Sequence, residues 1–154
     1  MSLSRARRKQ ASKLDLASAG LVRVVAPLCK LCRMGKARTV IVYADDDDLV
    51  RTVVTQALIE EGIDVHDCAS GSEAVALCRQ IVPDAVLLDL NMPDVDGLAA
   101  ARALRRDPLT CQLRLVALTG RATTGLRAKA ADAGFDEILV KPIPASALAE
   151  ALRA

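Results

Sequence analysis

Four consecutive aspartates, Asp45 to Asp48, follow the apolar run Thr39-Val-Ile-Val-Tyr-Ala44, and a second apolar run, starting at Asp84, ends in Asp89. Carboxylates held close together repel, so gathering them raises the cost of ionising each one. Acids at the ends of two neighbouring strands suit a hard cation, which takes oxygen ligands. Thr119 closes another apolar run and Lys141 follows a fourth, adding a hydroxyl and a compact cation. Each residue alone has a bland explanation, because aspartates cap helices and lysines follow strands by chance. Five together, Asp45, Asp46, Asp89, Thr119 and Lys141, all at carboxyl ends of strand-like runs, describe a site.

The elements that must position them are regular. Strand-like runs cover 39–44, 63–68, 84–89, 113–119 and 136–140. Between them lie segments with helical spacing of apolar residues: 47–61, 72–82, 98–106, 122–133 and 144–153. In the first, Val50, Val53, Val54, Ala57 and Leu58 are expected to form the buried stripe. Asp47 and Asp48 are expected to open that helix, where negative charge meets the positive end of the dipole. Gly62 and Gly134 each follow a helical segment, where a left-handed residue turns the chain into the next strand. Five strands alternating with five helices predict an α/β fold, a doubly wound parallel sheet with right-handed crossovers. In such sheets ligands bind beyond the carboxyl ends of the strands.

Composition narrows the classes. The 154 residues include no Trp, one Tyr (Tyr43) and one Phe (Phe135), so the core must be aliphatic. No apolar stretch approaches the roughly 20 residues of a membrane span. Five cysteines, an odd number, fit free thiols in a reducing cytosol, and a cytoplasmic protein is expected. Residues 1–38 carry ten Lys/Arg against one acid, whereas 39–154 carry eleven against eighteen. Residues 1–37 therefore read as a basic, flexible extension and 38–154 as an acidic domain. Within the extension, Arg23 and Pro27 interrupt the apolar stretch and argue against a signal peptide. Cys29 and Cys32 form a lone C-x-x-C, a weak metal or redox signal. Synthesis beginning at Met34 would remove both features. His66, the single histidine, falls in the second strand-like run and is expected at the strand surface, without a phosphotransfer role.

The segment from 39 to 154 resembles the receiver domain of response regulators, in particular the single-domain chemotaxis-regulator type. The likeness rests on Asp45-Asp46, on Asp89-Leu-Asn-Met-Pro93 followed by Asp96-Gly97, on Thr119-Gly120 and on Lys141-Pro142. It implies a flavodoxin-like strand order 2-1-3-4-5. It implies that Asp89 accepts a phosphoryl group and that Mg2+ is held by Asp46 and Asp89 directly, by Asp45 through water and by the Asn91 backbone carbonyl. Lys141 would pair with a phosphoryl oxygen, Thr119 would donate a hydrogen bond to it, and the Lys141–Pro142 bond would be cis. Asp96 would cap the helix that starts at Gly97. The donor would be a sensor histidine kinase or histidine phosphotransfer protein, with signalling by partner exchange. Chemistry would be limited to self-phosphorylation and autodephosphorylation. The face over 122–154 would be the dimerisation candidate. No residues follow the last helical segment, so no fused DNA-binding domain is expected.

Two features depart from the family pattern or tune it. An aromatic residue usually stands three before the lysine, and here that position is Ile138; Phe135 nearby is expected in the core. Arg121, two after Thr119, could cover a phosphoryl group. An alternative class is a phosphorylation-independent interaction module on the same fold. A haloacid-dehalogenase-type enzyme would want an acid two residues after its nucleophile, where Asn91 stands.

Overall fold

Alternation along each strand decides how the sheet is covered. The computed structural model describes residues 38–93 and 97–154. Among these lie strands β1 (Val40–Ala44), β2 (Asp64–Cys68), β3 (Ala85–Asp89), β4 (Arg114–Thr119) and β5 (Glu137–Val140). They alternate with helices α1 (Asp48–Glu60), α2 (Gly71–Ile81), α3 (Gly97–Arg106), α4 (Thr124–Ala133) and α5 (Ala145–Arg153). All pairings are parallel, in the order β2-β1-β3-β4-β5. The predicted doubly wound sheet is thus found, and every strand begins one residue later than the apolar runs suggest. The basic extension, Cys29 and Cys32, and the expected cap Asp96 lie outside the described residues.

Successive side chains point to opposite faces of a strand, and both faces are filled. Ile41, Tyr43, Ala85, Leu87, Val116 and Leu118 meet Leu58 of α1 and Leu148, Ala149 and Leu152 of α5. Val42, Ala44, Val86, Leu88, Leu115 and Ala117 meet Ala74 and Cys78 of α2, Ala100, Ala101 and Leu104 of α3, and Ala130 of α4. Each buried leucine contributes roughly 1.5–3 kcal/mol. Phe135 is in the second cluster, as expected, and Ile138 packs against it. Small alanines on α3 and α4 let these helices lie close to the sheet.

Capping is local and legible. Asp47 ends the loop after β1 and accepts from the amides of Leu49 (2.9 Å) and Val50 (3.0 Å), satisfying two orphan donors of α1. Ser70 and Thr123 cap α2 and α4 in the same way, each accepting one amide, from Glu73 and Leu126. Gly62 and Gly134 both have positive φ, 81° and 96°. The helical stripe of α1 needs one correction. Val53 is 59% exposed, because α1 buries only Leu58 fully and leaves Val53, with Leu49, on its outer flank.

Candidate functional site

The strand register carries polar residues to one rim. Ala44 pairs with Leu88, Leu88 with Ala117, and Thr119 with Val140, so β1, β3, β4 and β5 end almost level. Asp45, Asp89 and Lys141 lie just beyond those pairs, and Thr119 is the last residue of β4. Asp45, Asp89 and Lys141 continue the stripes that begin at Ile41–Tyr43, Ala85–Leu87 and Leu139. Thr119 continues the opposite stripe, Leu115–Ala117. One carboxylate oxygen each from Asp45, Asp46 and Asp89 lies within 4.8 Å of the others. The structure therefore brings all three sequence-predicted acids together, with Asp46 exposed and the other two buried.

The two buried carboxylates are treated differently. Asp45 Oδ1 accepts the Asp47 amide at 3.0 Å. Its Oδ2 accepts both the Tyr43 hydroxyl (2.8 Å) and Lys141 Nζ (2.9 Å). Asp89 Oδ2 accepts the Asn91 amide at 3.1 Å. Asp89 Oδ1 is buried without a hydrogen-bond donor; Lys141 Nζ, 3.3 Å away, forms an ion pair with it but is not aligned for a hydrogen bond. A buried charged oxygen without a donor is costly, and the Asp89 carboxylate also stands beside two further acids. That orphaned oxygen, in a set of hard oxygen donors, fits a divalent cation.

Electrostatics follow from this crowding. Burial pushes the Asp89 carboxyl above the ordinary aspartate range; Lys141 pulls it back and Asp45 adds to the rise. Burial works against the Lys141 charge, but Asp45 and Asp89 outweigh it and hold the amine above its ordinary value. Burial, then the hydrogen bond to Asp45 and its charge, lifts the Tyr43 hydroxyl well above a normal tyrosine. It stays protonated and acts as a donor.

Other predicted residues fall as follows. Thr119 is buried, and its hydroxyl is engaged with its own loop: it donates to the Arg121 carbonyl (3.2 Å) and accepts the Arg121 amide (3.3 Å). The Arg121 side chain is exposed. The Lys141–Pro142 peptide is cis. His66 pairs in register with Val42, mid-strand and away from the rim. Gly97 fits where a side chain cannot, since a Cβ there would lie 2.4 Å from the Asp89 carbonyl oxygen. The buried thiols of Cys68 and Cys78 are free, and burial pushes them up to about 11 and about 12. They are inert rather than nucleophilic.

Sequence reasoning missed two contributors. Tyr43 was legible as a core residue but not as a partner of the site, although its two-residue spacing from Asp45 puts both on one face of β1. Arg51 braces the loop, donating to the Asp45 carbonyl at 2.8 Å while pairing with Asp48 and with Asp67 at 3.1 Å. Only the fold brings Asp67 within its reach.

Residues 41–153 match the family model described as the response regulator receiver domain. The chain is 32% identical over 114 residues to the DNA-binding dual master transcriptional regulator RpaA of Synechocystis, covering 74% of this chain and 47% of that protein. It is 35% identical over 103 residues to the signal transduction histidine-protein kinase BarA of Escherichia coli, covering 66% of this chain and 11% of the kinase. The chain spans about half, or less, of the length of such relatives. Among solved structures, the chemotaxis protein CheY4 of Vibrio cholerae superposes with a TM-score of 0.72 at 26% identity, covering 76% and 98% of the two chains. The receiver domain of a sensor histidine kinase from Pseudomonas aeruginosa, solved with a magnesium ion coordinated in its active-site cleft, gives 0.71 at 30%, covering 76% and 96%. No helix among the described residues is long and apolar enough to cross a membrane.

Proposed function

This chain belongs to the response regulator receiver family of two-component signalling, and we propose that within it Asp89 accepts a phosphoryl group from a phosphohistidine protein. The observation that carries the reading is the Asp89 carboxylate: it stands beside Asp45 and Asp46, and its buried Oδ1 has Lys141 as an ion-pair partner but no hydrogen-bond donor. In the transfer, an Asp89 oxygen forms the new bond to phosphorus while the P–N bond of the donor breaks. The bonding pair leaves with the imidazole nitrogen. Asp46 and Asp89 would hold Mg2+ directly, with Asp45 through water and the Asn91 carbonyl completing the protein's share. Bound Mg2+ would supply positive charge to offset the incoming phosphoryl oxygens.

The chain's own side chains do the rest. Lys141 Nζ turns from the carboxylates to a phosphoryl oxygen as a compact cation. Thr119 releases the Arg121 carbonyl to donate its hydroxyl hydrogen to another. That exchange pulls on the loop leading into α4. Ile138 has no ring to swing, so the exchange at Thr119 is where movement starts. Signalling then follows by a change of partner, and the face over 122–154 is a candidate for self-association.

Incubation with acetyl phosphate, with and without Mg2+, tests this by intact mass. Wild type is expected to gain one phosphoryl group only with Mg2+, and Asp89→Asn to gain none. Equal modification of Asp89→Asn would mean that the acceptor is misassigned. An unmodified wild type would favour a phosphorylation-independent interaction module instead.

A further inference from the structure

The cluster around Asp45 contains a group that neither metal binding nor phosphoryl transfer has used. Tyr43 is the chain's single tyrosine, and it is fully buried in a sheet face otherwise built from Ile41, Leu87, Val116 and Leu118. A buried phenol needs an acceptor for its hydroxyl. Its acceptor here is Asp45 Oδ2 at 2.8 Å, the same oxygen that Lys141 Nζ contacts at 2.9 Å. We infer that Tyr43 is a positioning residue that shares Asp45 Oδ2 with Lys141 and so frees Lys141 for the phosphoryl group on Asp89. The inference rests on Asp89 being the phosphoryl acceptor.

The physical argument is a count of donors. Asp45 is 1% exposed, so bulk water does little to replace a lost protein partner. Three groups donate to it: the Asp47 amide on Oδ1, and Tyr43 and Lys141 on Oδ2. When Lys141 leaves for a phosphoryl oxygen, Tyr43 keeps Oδ2 bonded. Without the hydroxyl, the same move would leave Oδ2 with no protein donor, and a buried carboxylate oxygen that loses its donors is penalised. Asp45 would then compete for the amine. A phenylalanine at this position would fill the same space while lacking that bond, which isolates the hydroxyl from the packing.

Tyr43→Phe is the test, with acetyl phosphate as donor and Mg2+ affinity measured separately by amide chemical-shift titration. At saturating Mg2+, phosphorylation is expected to slow roughly tenfold, with Mg2+ affinity little changed because Asp46 and Asp89 remain. A loss of packing alone would weaken both together, and that pattern, or an unchanged rate, overturns the inference. A wild type that takes no phosphoryl group overturns the acceptor assignment and this inference with it.

A second measurement needs no Tyr43 variant. With no tryptophan and one tyrosine, the near-UV absorption and phenol carbon resonance report Tyr43 directly. The signature of a phenol bonded to a carboxylate should persist when beryllofluoride and Mg2+ are added, and should shift in Asp45→Asn. Its disappearance on adding beryllofluoride and Mg2+ to wild type would sink the inference even if Tyr43→Phe failed to fold.

Discussion

The two rims of the sheet use their buried and half-buried charges in different ways. At the amino rim, Arg105 donates to the carbonyls of Gly134 (2.8 Å), Cys111 (2.8 Å) and Leu113 (2.6 Å) and pairs with Asp136 (2.8 Å). Arg114 bonds the Ala151 carbonyl and Glu137, and Asp84 accepts the Val40 amide. Asp136 also accepts the Leu115 amide. Each of these groups has a partner, and the bonds tie the ends of strands, helices and loops together. At the carboxyl rim, three acids face one lysine, and a buried oxygen is left without a donor. Paired charge holds the fold; unmatched charge is kept where a ligand can complete it.

Substitutions should separate the two rims. Gly97→Ala is expected to have the largest effect, destabilising by about 3 kcal/mol, because the added carbon would lie 2.4 Å from the Asp89 carbonyl oxygen. Chemical denaturation would measure that cost, and Mg2+ binding should fall with it as the β3 end shifts. Arg105→Met should cost about 2 kcal/mol in the same assay by leaving carbonyls and Asp136 unpaired, while Mg2+ affinity holds. A parallel loss of Mg2+ affinity in Arg105→Met would break the distinction drawn between the rims.

Asp46→Asn should have the converse pattern. Losing one exposed charge ought to lower Mg2+ affinity about tenfold, about 1.4 kcal/mol, with the denaturation midpoint in metal-free buffer unchanged or raised. Titration calorimetry would show it. The smallest effect concerns pH. The Asp89 carboxyl titrates above its unfolded value, so between the two values the folded state binds more protons than the unfolded state. Stability therefore falls as pH rises through that window, and the deficit is complete above it. Without Mg2+, Asp89→Asn should thus be more stable than wild type at neutral pH, with the gap closing in acid. A gap that does not change with pH would mean that Asp89 ionisation costs the fold nothing.

Much of this arrangement was legible in the chain itself. The strand-like runs located all five strands to within a residue at their starts. The inner strands β1, β3 and β4 read as continuous apolar stretches because both their faces are covered, while the edge strands β2 and β5 are only partly buried. The acids after β1 and at the end of β3 pointed to the carboxylate cluster that the structure gathers. Asp47 was legible as a cap for the same local reason. Val53 was not legible as exposed. Its helical spacing matches the buried stripe, and only the angle at which α1 lies on the sheet leaves it outside. Thr119 was legible as the polar end of β4, but the two bonds its hydroxyl makes to the Arg121 backbone were not, because they depend on how the following loop folds back.

Residue order alone determined the alternation of strand and helix, the aliphatic character of both cores and the acids that close β1 and β3. These depend on periodicity and on neighbours within a few positions. Tertiary structure alone decided that Tyr43 and Lys141, 98 positions apart in the chain, would meet on one oxygen of Asp45. It also decided that Asp89 Oδ1 would be left without a donor. Hydrogen-bond accounting inside a packed rim depends on register across four strands, and no local pattern contains that information.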